Sequence, residues 1–179
     1  MHNHDGFYLR VGLGLGHAGG TVTSGSGGPS TSISANGLPI EFMLGGTVSP
    51  GLVIGGGFSG GAYLNPTIGG TSTEKSQLNL STFGPFLDWY FDPKAGLHAQ
   101  VLVGFARMAV KYDGNSSSEG DSTGAGVSLG FGNDWWVADQ VSFGVMGRLD
   151  YYSVKAPVSV GDITYKFFAP GVVGTFTYH

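Results

Sequence analysis

The sequence contains no cysteine, which excludes disulfides, thiolate zinc sites and thiol nucleophiles together. It also lacks any apolar run near the ~18–20 residues that a transmembrane helix needs. Charged residues are scarce, at 11% of the chain against a usual ~25%. A water-soluble domain of this size carries more surface charge, so we infer that much of the surface does not face water.

Basic clusters are absent as well, and the net charge is −4, so nucleic acid is not an expected partner. Glycine is abundant at 34 of 179 residues, and aromatic residues reach 13%. The glycines alternate with Val, Leu, Phe and Tyr and follow no collagen period. A chain that meets lipid without transmembrane helices must pair all its backbone groups in a closed sheet.

Period-2 alternation supports this fold. In the first segment, Phe7, Leu9 and Val11 share one face of a predicted strand, while Tyr8 and Arg10 share the other. The same pattern recurs along the chain. Two segments change phase, near Phe83-Gly84-Pro85 and near Pro170, where we expect bulges because proline cannot donate to the ladder. The total is eight strands in one domain, residues 1–179.

The predicted connections alternate between long and short, as in an up-and-down outer-membrane barrel. The long polar segments are 18–36, 65–77, 113–123 and 153–162, and the short ones are 49–51, 92–96 and the stretch around 136–140. This order puts four long loops outside and both termini on the periplasmic side. Aromatic residues near the short turns predict an interfacial girdle; they are Phe7, Tyr8, Trp89, Tyr90, Phe91, Trp135, Trp136, Phe176 and Tyr178.

At the level of pattern, the whole chain resembles the eight-stranded outer-membrane barrels of the OmpA, OmpX and OmpW type. The resemblance includes the turn regions 84–93 and 135–140, and the last strand, 172–179, which is similar to the signal that the barrel-assembly machinery reads, although it ends in His179 rather than Phe. It implies an all-β, eight-stranded, antiparallel up-and-down transmembrane barrel in a bacterial outer membrane. The implied partners are membrane lipid, lipopolysaccharide and the assembly machinery.

The start of the chain, Met1-His2-Asn3-His4-Asp5, is polar and leads directly into a strand. No signal peptide is visible there, although an outer-membrane protein needs one for export. We therefore expect this sequence to be the mature form, from which the leader is absent.

Six ionisable residues fall on predicted lumen-facing positions. They are Arg10, Glu41, Asp88, His98, Arg148 and Asp150. Eight strands leave an interior that side chains can fill, and buried charges must be paired. We interpret the six as a structural ion-pair network, with a gate or narrow polar path as the alternative.

Small inward residues favour a different use of the interior. Eleven glycines occupy predicted lumen positions: Gly12, Gly14, Gly16, Gly45, Gly55, Gly57, Gly104, Gly126, Gly130, Gly132 and Gly144. They lead to the hypothesis of a cavity, and hence of a narrow channel or a conduit for a small solute. The alternatives are a non-conducting anchor that displays its loops for adhesion or envelope integrity, and a soluble ligand-binding barrel with its faces inverted.

Catalysis is not expected. Enzymes on this architecture need a nucleophile with its base, or carboxylates with a histidine, near the outer rim. The loop regions hold serines and scattered acids, and His17 is the one histidine near them. No cofactor and no metal site are predicted.

Overall fold

The structure, a computed structural model, describes residues 6–24, 28–112, 122–158 and 161–179. Eight long strands and one short strand make up this part of the chain. They are β1 Phe7–Ser24, β2 Ser30–Ser49, β3 Leu52–Ile68, β4 Thr71–Ser72, β5 Ser76–Tyr90, β6 Leu97–Tyr112, β7 Ser122–Ala138, β8 Val141–Val158 and β9 Gly161–Tyr178. No helix long and apolar enough to cross a membrane occurs among the described residues.

The long strands form one closed antiparallel ring. Each pairs with the next along the chain, β1 pairs with β9, and β4 pairs with β3 as a short addition. The eight-stranded, antiparallel up-and-down barrel predicted from the sequence is confirmed. Closure pairs the backbone groups of every long strand, which a wall in contact with lipid requires.

Short turns join the strands at one end of the barrel, which we call the turn end. They lie at Pro50-Gly51, between Tyr90 and Leu97, and at Asp139-Gln140. Gly51 has φ +77°, a conformation that glycine adopts without steric cost, and its carbonyl accepts a 2.8 Å hydrogen bond from the Tyr90 N–H. The predicted short connections are confirmed.

At the opposite end, the hairpin end, the predicted long loops are mostly strand. Thr23 pairs with Ser30, and Val158 pairs with Gly161, so the first and last of these segments continue the ladder almost to their tips. Polar, threonine-containing sequence extends a ladder that is already in register. The loop prediction is wrong there, while most of the 113–123 segment lies outside the described residues.

The predicted bulges near Phe83-Gly84-Pro85 and Pro170 are also wrong. The pairing runs without a shift through Gly57–Gly84 and Leu149–Pro170, and the buried positions of β5 and β9 keep one parity along each strand. What changes is the polarity of the two faces. Towards the hairpin end, apolar side chains turn inward and polar ones outward, which mimics a change of phase.

The interior of the barrel is therefore apolar at the hairpin end and polar near its middle. The hairpin-end cluster consists of Ala18, Ala35, Tyr63, Leu78, Leu80, Ala106, Met108, Tyr152, Val154, Phe167 and Ala169. A second cluster lies towards the turn end and consists of Tyr8, Met43, Val53, Phe86, Tyr90 and Leu102. The charged residues of the site lie beside this second cluster and between the two.

The outer wall carries an exposed apolar belt. Among its members, Leu13 is 60% exposed, Leu129 50% and Val145 49%, far more than a soluble protein exposes in one continuous band. Near the turn end the belt is aromatic. Phe7, Trp89, Phe91 and Trp135 lie there exposed, as the predicted girdle requires, whereas Tyr8 and Tyr90 are fully buried in the interior.

Candidate functional site inside the barrel

All six predicted lumen residues are buried, with at most 4% of any of them exposed. The alternation of each strand turns them inward because every second side chain points to the same face. The structure divides them into two groups. Arg10, Asp88 and His98 lie together towards the turn end, and Glu41, Arg148 and Asp150 lie together nearer the hairpin end.

Arg10 is the centre of the first group. Its guanidinium lies 2.9 Å from Asp88 Oδ2 and 2.5 Å from Asp134 Oδ2. It also donates hydrogen bonds to the Tyr90 hydroxyl at 2.7 Å and to Thr177 Oγ1 at 2.9 Å. Thr177 pairs with Arg10 on the adjacent strand β9. Since β1 is a neighbour of neither β5 nor β7 in the ring, the contacts with Asp88, Tyr90 and Asp134 cross the lumen.

Asp88, on β5, belongs to the same group and contacts it from across the lumen. It accepts a 2.7 Å hydrogen bond from the Tyr8 hydroxyl, and its other oxygen lies 2.8 Å from Nδ1 of His98. The His98 ring stacks on Tyr90, with the ring centroids 5.0 Å apart. This packing leaves the histidine enclosed by aromatic rings and carboxylates. We call Arg10, Asp88, Asp134, Tyr90 and His98 the Arg10 cluster.

Two charged or hydrogen-bonding members of this cluster, Asp134 and Tyr90, were not among the predicted site residues. Asp134 could have been found, because the inward parity of β7 runs from Gly126 through Gly132 directly to it. Treating the aromatic turn region as a girdle concealed the fact that Tyr90 faces the lumen.

The second group is built around Arg148. Its guanidinium lies 2.9 Å from Asp150 Oδ2 and 3.7 Å from Glu41 Oε2. It also donates to the backbone carbonyls of Ile40 at 3.0 Å and Gly60 at 2.8 Å. These bonds tie β8 to β2 and β3 across the interior. We call Arg148, Asp150 and Glu41 the Arg148 cluster.

Each cluster places one guanidinium beside two carboxylates. In the Arg10 cluster both carboxylates lie within 2.9 Å of the guanidinium, whereas Glu41 in the Arg148 cluster is 3.7 Å from it and its oxygens have no hydrogen-bond partner among the described residues. Within the described residues, no group of three or more His, Cys, Asp or Glu side chains is placed to hold a metal ion. Ser59 donates to Asp150 Oδ1 at 3.1 Å, and its Oγ lies 3.1 Å from Ser128 Oγ, so its hydroxyl serves this network.

No protein-family model and no curated protein match the chain, but solved structures do. The outer-membrane protein OprG of Pseudomonas aeruginosa is similar with a TM-score of 0.56 and 11% identity, over 99% of this chain and 98% of that one. Neisserial surface protein A is similar with a TM-score of 0.54 and 19% identity, over 93% and 95%. AlkL, solved in lipid bilayers, is similar with a TM-score of 0.55 and 14% identity, over 99% and 92%.

The chain has the fold of the small outer-membrane β-barrels. At these identities the likeness concerns the fold, and the apolar belt of this chain supplies the second argument for lipid contact. Together they place the protein in a bacterial outer membrane. A soluble barrel with its faces inverted would bury the apolar side chains of the belt. Because these side chains are exposed on the outer wall, the alternative of a soluble ligand-binding barrel is wrong.

The inward glycines of this outer-membrane barrel are covered by their neighbours. A methyl group on Gly12 would lie 2.6 Å from Cγ of Glu41, and one on Gly132 would lie 2.8 Å from Cβ of Met146. Overlaps at least as close with neighbouring side chains arise at Gly57, Gly126, Gly130 and Gly144, whereas at Gly14, Gly45, Gly55 and Gly104 the methyl group would overlap with the backbone of the adjacent strand. Small inward residues were expected to leave open space, and where a neighbouring side chain covers the glycine that inference is wrong.

Proposed function

We propose that this protein is a non-conducting, non-catalytic outer-membrane barrel that presents its hairpin end to the exterior. One observation carries the proposal: the Arg10 cluster joins β1 to β5 and β7 across the lumen through direct contacts of 2.5–2.9 Å. A solute moving along the axis would have to break these contacts and leave buried carboxylates without their partner.

The other layers support closure. The Arg148 cluster and the hairpin-end apolar cluster lie in series with the Arg10 cluster. Phe167 and Tyr152 are fully buried in that apolar layer, which leaves little room for hydrated ions. A narrow channel or small-molecule conduit remains the competing function, and it requires these three layers to move.

The hairpin end suits an extracellular role. Its strands continue beyond the apolar belt and carry exposed polar and charged side chains such as Arg107, Lys111 and Lys166. Short turns are typical of the periplasmic side of such barrels. We therefore place the turn end in the periplasm and the extended hairpins outside.

The last strand supports the predicted contact with the barrel-assembly machinery. Its outward aromatic residues are Phe176 and Tyr178, which contact Phe143 and Phe7 at centroid distances of 5.4 Å and 6.2 Å. His179 instead turns into the lumen and lies 4.7 Å from the Trp136 ring. An outward pair of aromatics at the end of β9 preserves the pattern that the machinery reads.

Ion flux through the wild-type protein tests the closed lumen. We expect no conductance steps in planar bilayers, and no faster potassium release from proteoliposomes than from empty vesicles, because the clusters block the axis. Flotation followed by quantitative gel analysis shows how much protein each vesicle preparation contains. Conductance steps whose frequency rises with the amount of folded protein would establish the channel instead.

A further inference from the structure

One sector of the outer wall combines cations, a pocket and an aromatic row. At the hairpin end, Leu64, Gln77 and Lys111 lie side by side, because Leu64 pairs with Gln77 and Gln77 pairs with Lys111. Closer to the membrane, Ser81 pairs with Arg107, and both Arg107 and Lys111 are exposed. We call this outer surface of β3, β5 and β6 the β3–β6 face.

A pocket of about 320 Å³ lies at the upper edge of this face. Its lining residues are Leu64, Asn65, Lys75, Ser76, Gln77 and Lys111. Two of the six carry ammonium groups, and Asn65 and Gln77 carry amide groups, so the pocket offers donors and positive charge to an anion.

The backbone around the pocket is strained. Asn65 has φ +48° and Lys75 has φ +57°, and they are the two non-glycine residues with positive φ in the described part of the chain. Such conformations cost energy, they persist when their surroundings enforce them, and they cluster at binding sites. Both of them line this single pocket.

Hydrogen bonds hold the strained hairpin in place. The Thr73 N–H donates to the Pro66 carbonyl at 3.0 Å. Ser76 Oγ donates to the Thr73 carbonyl at 2.9 Å and lies 2.8 Å from Thr73 Oγ1. The pocket wall is therefore preorganised, which lowers the entropic cost of binding a ligand.

Directly below this polar surface lies a row of phenylalanines. Phe42 pairs with Phe58, Phe58 with Phe83, and Phe83 with Phe105. Phe83 is 52% exposed and Phe105 is 56% exposed. The row belongs to the apolar belt, so it contacts the acyl chains. Arg107, two residues further along β6, lies higher, at the level of the headgroups.

The spacing of the cations indicates what kind of headgroup fits. Arg107 and Lys111 are four residues apart on one strand, or roughly 13 Å at the rise of a β-strand. The headgroup of an ordinary phospholipid is too short to reach both levels. A glycolipid with a phosphorylated saccharide extends far enough and carries negative charge along its length.

We propose that the β3–β6 face binds the phosphorylated saccharide headgroup of lipopolysaccharide in the outer leaflet. Arg107 contacts anionic groups next to the acyl region, Lys75 and Lys111 hold a phosphate of the saccharide in the pocket, and the phenylalanine row packs against acyl chains. This inference does not depend on whether the lumen conducts, so its failure would leave the closed barrel intact.

Native mass spectrometry of the folded protein in detergent, titrated with rough-type lipopolysaccharide phosphorylated in its core, tests the proposal. We expect the double variant Lys75→Gln/Lys111→Gln to bind about tenfold more weakly, since each charge-assisted contact to phosphate is lost. Enzymatically dephosphorylated lipopolysaccharide should bind the wild type as weakly as the intact lipid binds the double variant. Heat-modifiable migration on a gel shows that each variant is folded.

The matched control is Lys155→Gln/Lys166→Gln, which removes two exposed cations from β8 and β9 and should leave the affinity unchanged. Lys111→Gln alone, in a regular strand, should weaken binding even if the double variant fails to fold. Equal losses in the pocket and control variants would overturn the proposal, because binding would then follow net charge. Binding of the dephosphorylated lipid as tight as that of the intact lipid would also overturn it, because the pocket would then not recognise phosphate.

Discussion

Replacing Arg10 by methionine should lower the free energy of unfolding by about 3–5 kcal/mol, the cost of leaving buried charges without their partner. Asp88 and Asp134 would lose their shared guanidinium, and Tyr90 and Thr177 would lose a donor. Urea titration of the refolded protein, followed by tryptophan fluorescence, measures the change. Because two buried carboxylates share this one guanidinium, the loss should exceed that of any substitution on the water-exposed surface.

Two further variants make this prediction specific. Lys155→Met removes an exposed cation of β8 and should change stability by less than about 1 kcal/mol, as is usual for surface charges. The triple variant Arg10→Met/Asp88→Leu/Asp134→Leu removes charge from both sides and should recover much of the loss. An Arg10→Met protein as stable as the wild type would show that the Arg10 cluster does not hold the barrel together.

Placing an arginine on the apolar belt should have the second-largest effect. Leu44 is 45% exposed on the outer wall of β2, and Leu44→Arg should cost about 2–4 kcal/mol, as for a cation near the middle of a bilayer. Ser32→Arg lies on the same strand in the hairpin region, and its side chain is exposed. There an arginine meets water and should cost no more than about 0.5 kcal/mol.

The unfolding of both variants should be measured in phosphatidylcholine vesicles, where the acyl layer has a defined thickness. If Leu44→Arg lowers the free energy of unfolding much more than Ser32→Arg does, β2 leaves the membrane between these two positions. Equal costs at Leu44 and Ser32 would contradict the assignment of the belt to lipid and of the hairpin end to water.

Sequence alternation was enough to predict the eight strands, their short turns and the inward direction of all six site residues. It succeeded because a lipid-facing wall forces apolar and polar positions to alternate strictly, as they do along Phe7, Leu9 and Val11. Within the span of the belt, the physics of the bilayer makes the pattern almost unambiguous.

The same reasoning failed where the barrel leaves the membrane. There Leu78 and Leu80 turn inward while Asn79 and Ser81 turn outward, so the rule for the lipid-facing wall inverts and imitates a bulge. The sequence also could not predict which side chains fill the lumen. Gly12 is small, but only the structure shows that Glu41, on the neighbouring strand, covers it. The partners of a buried charge depend on strands far apart in sequence, as Arg10 and Asp134 illustrate.

The closed lumen can be tested directly because the chain has no cysteine, so a single introduced thiol is the only one present. Ser59 is fully buried in the interior beside Asp150, whereas His17 is exposed on the outer wall of β1. We expect Ser59→Cys in the folded protein to resist a membrane-impermeant thiol reagent that labels His17→Cys readily, and both to react fully in urea. Labelling of Ser59→Cys in the folded barrel at a rate close to that of His17→Cys would contradict a filled lumen and would favour the channel as the function.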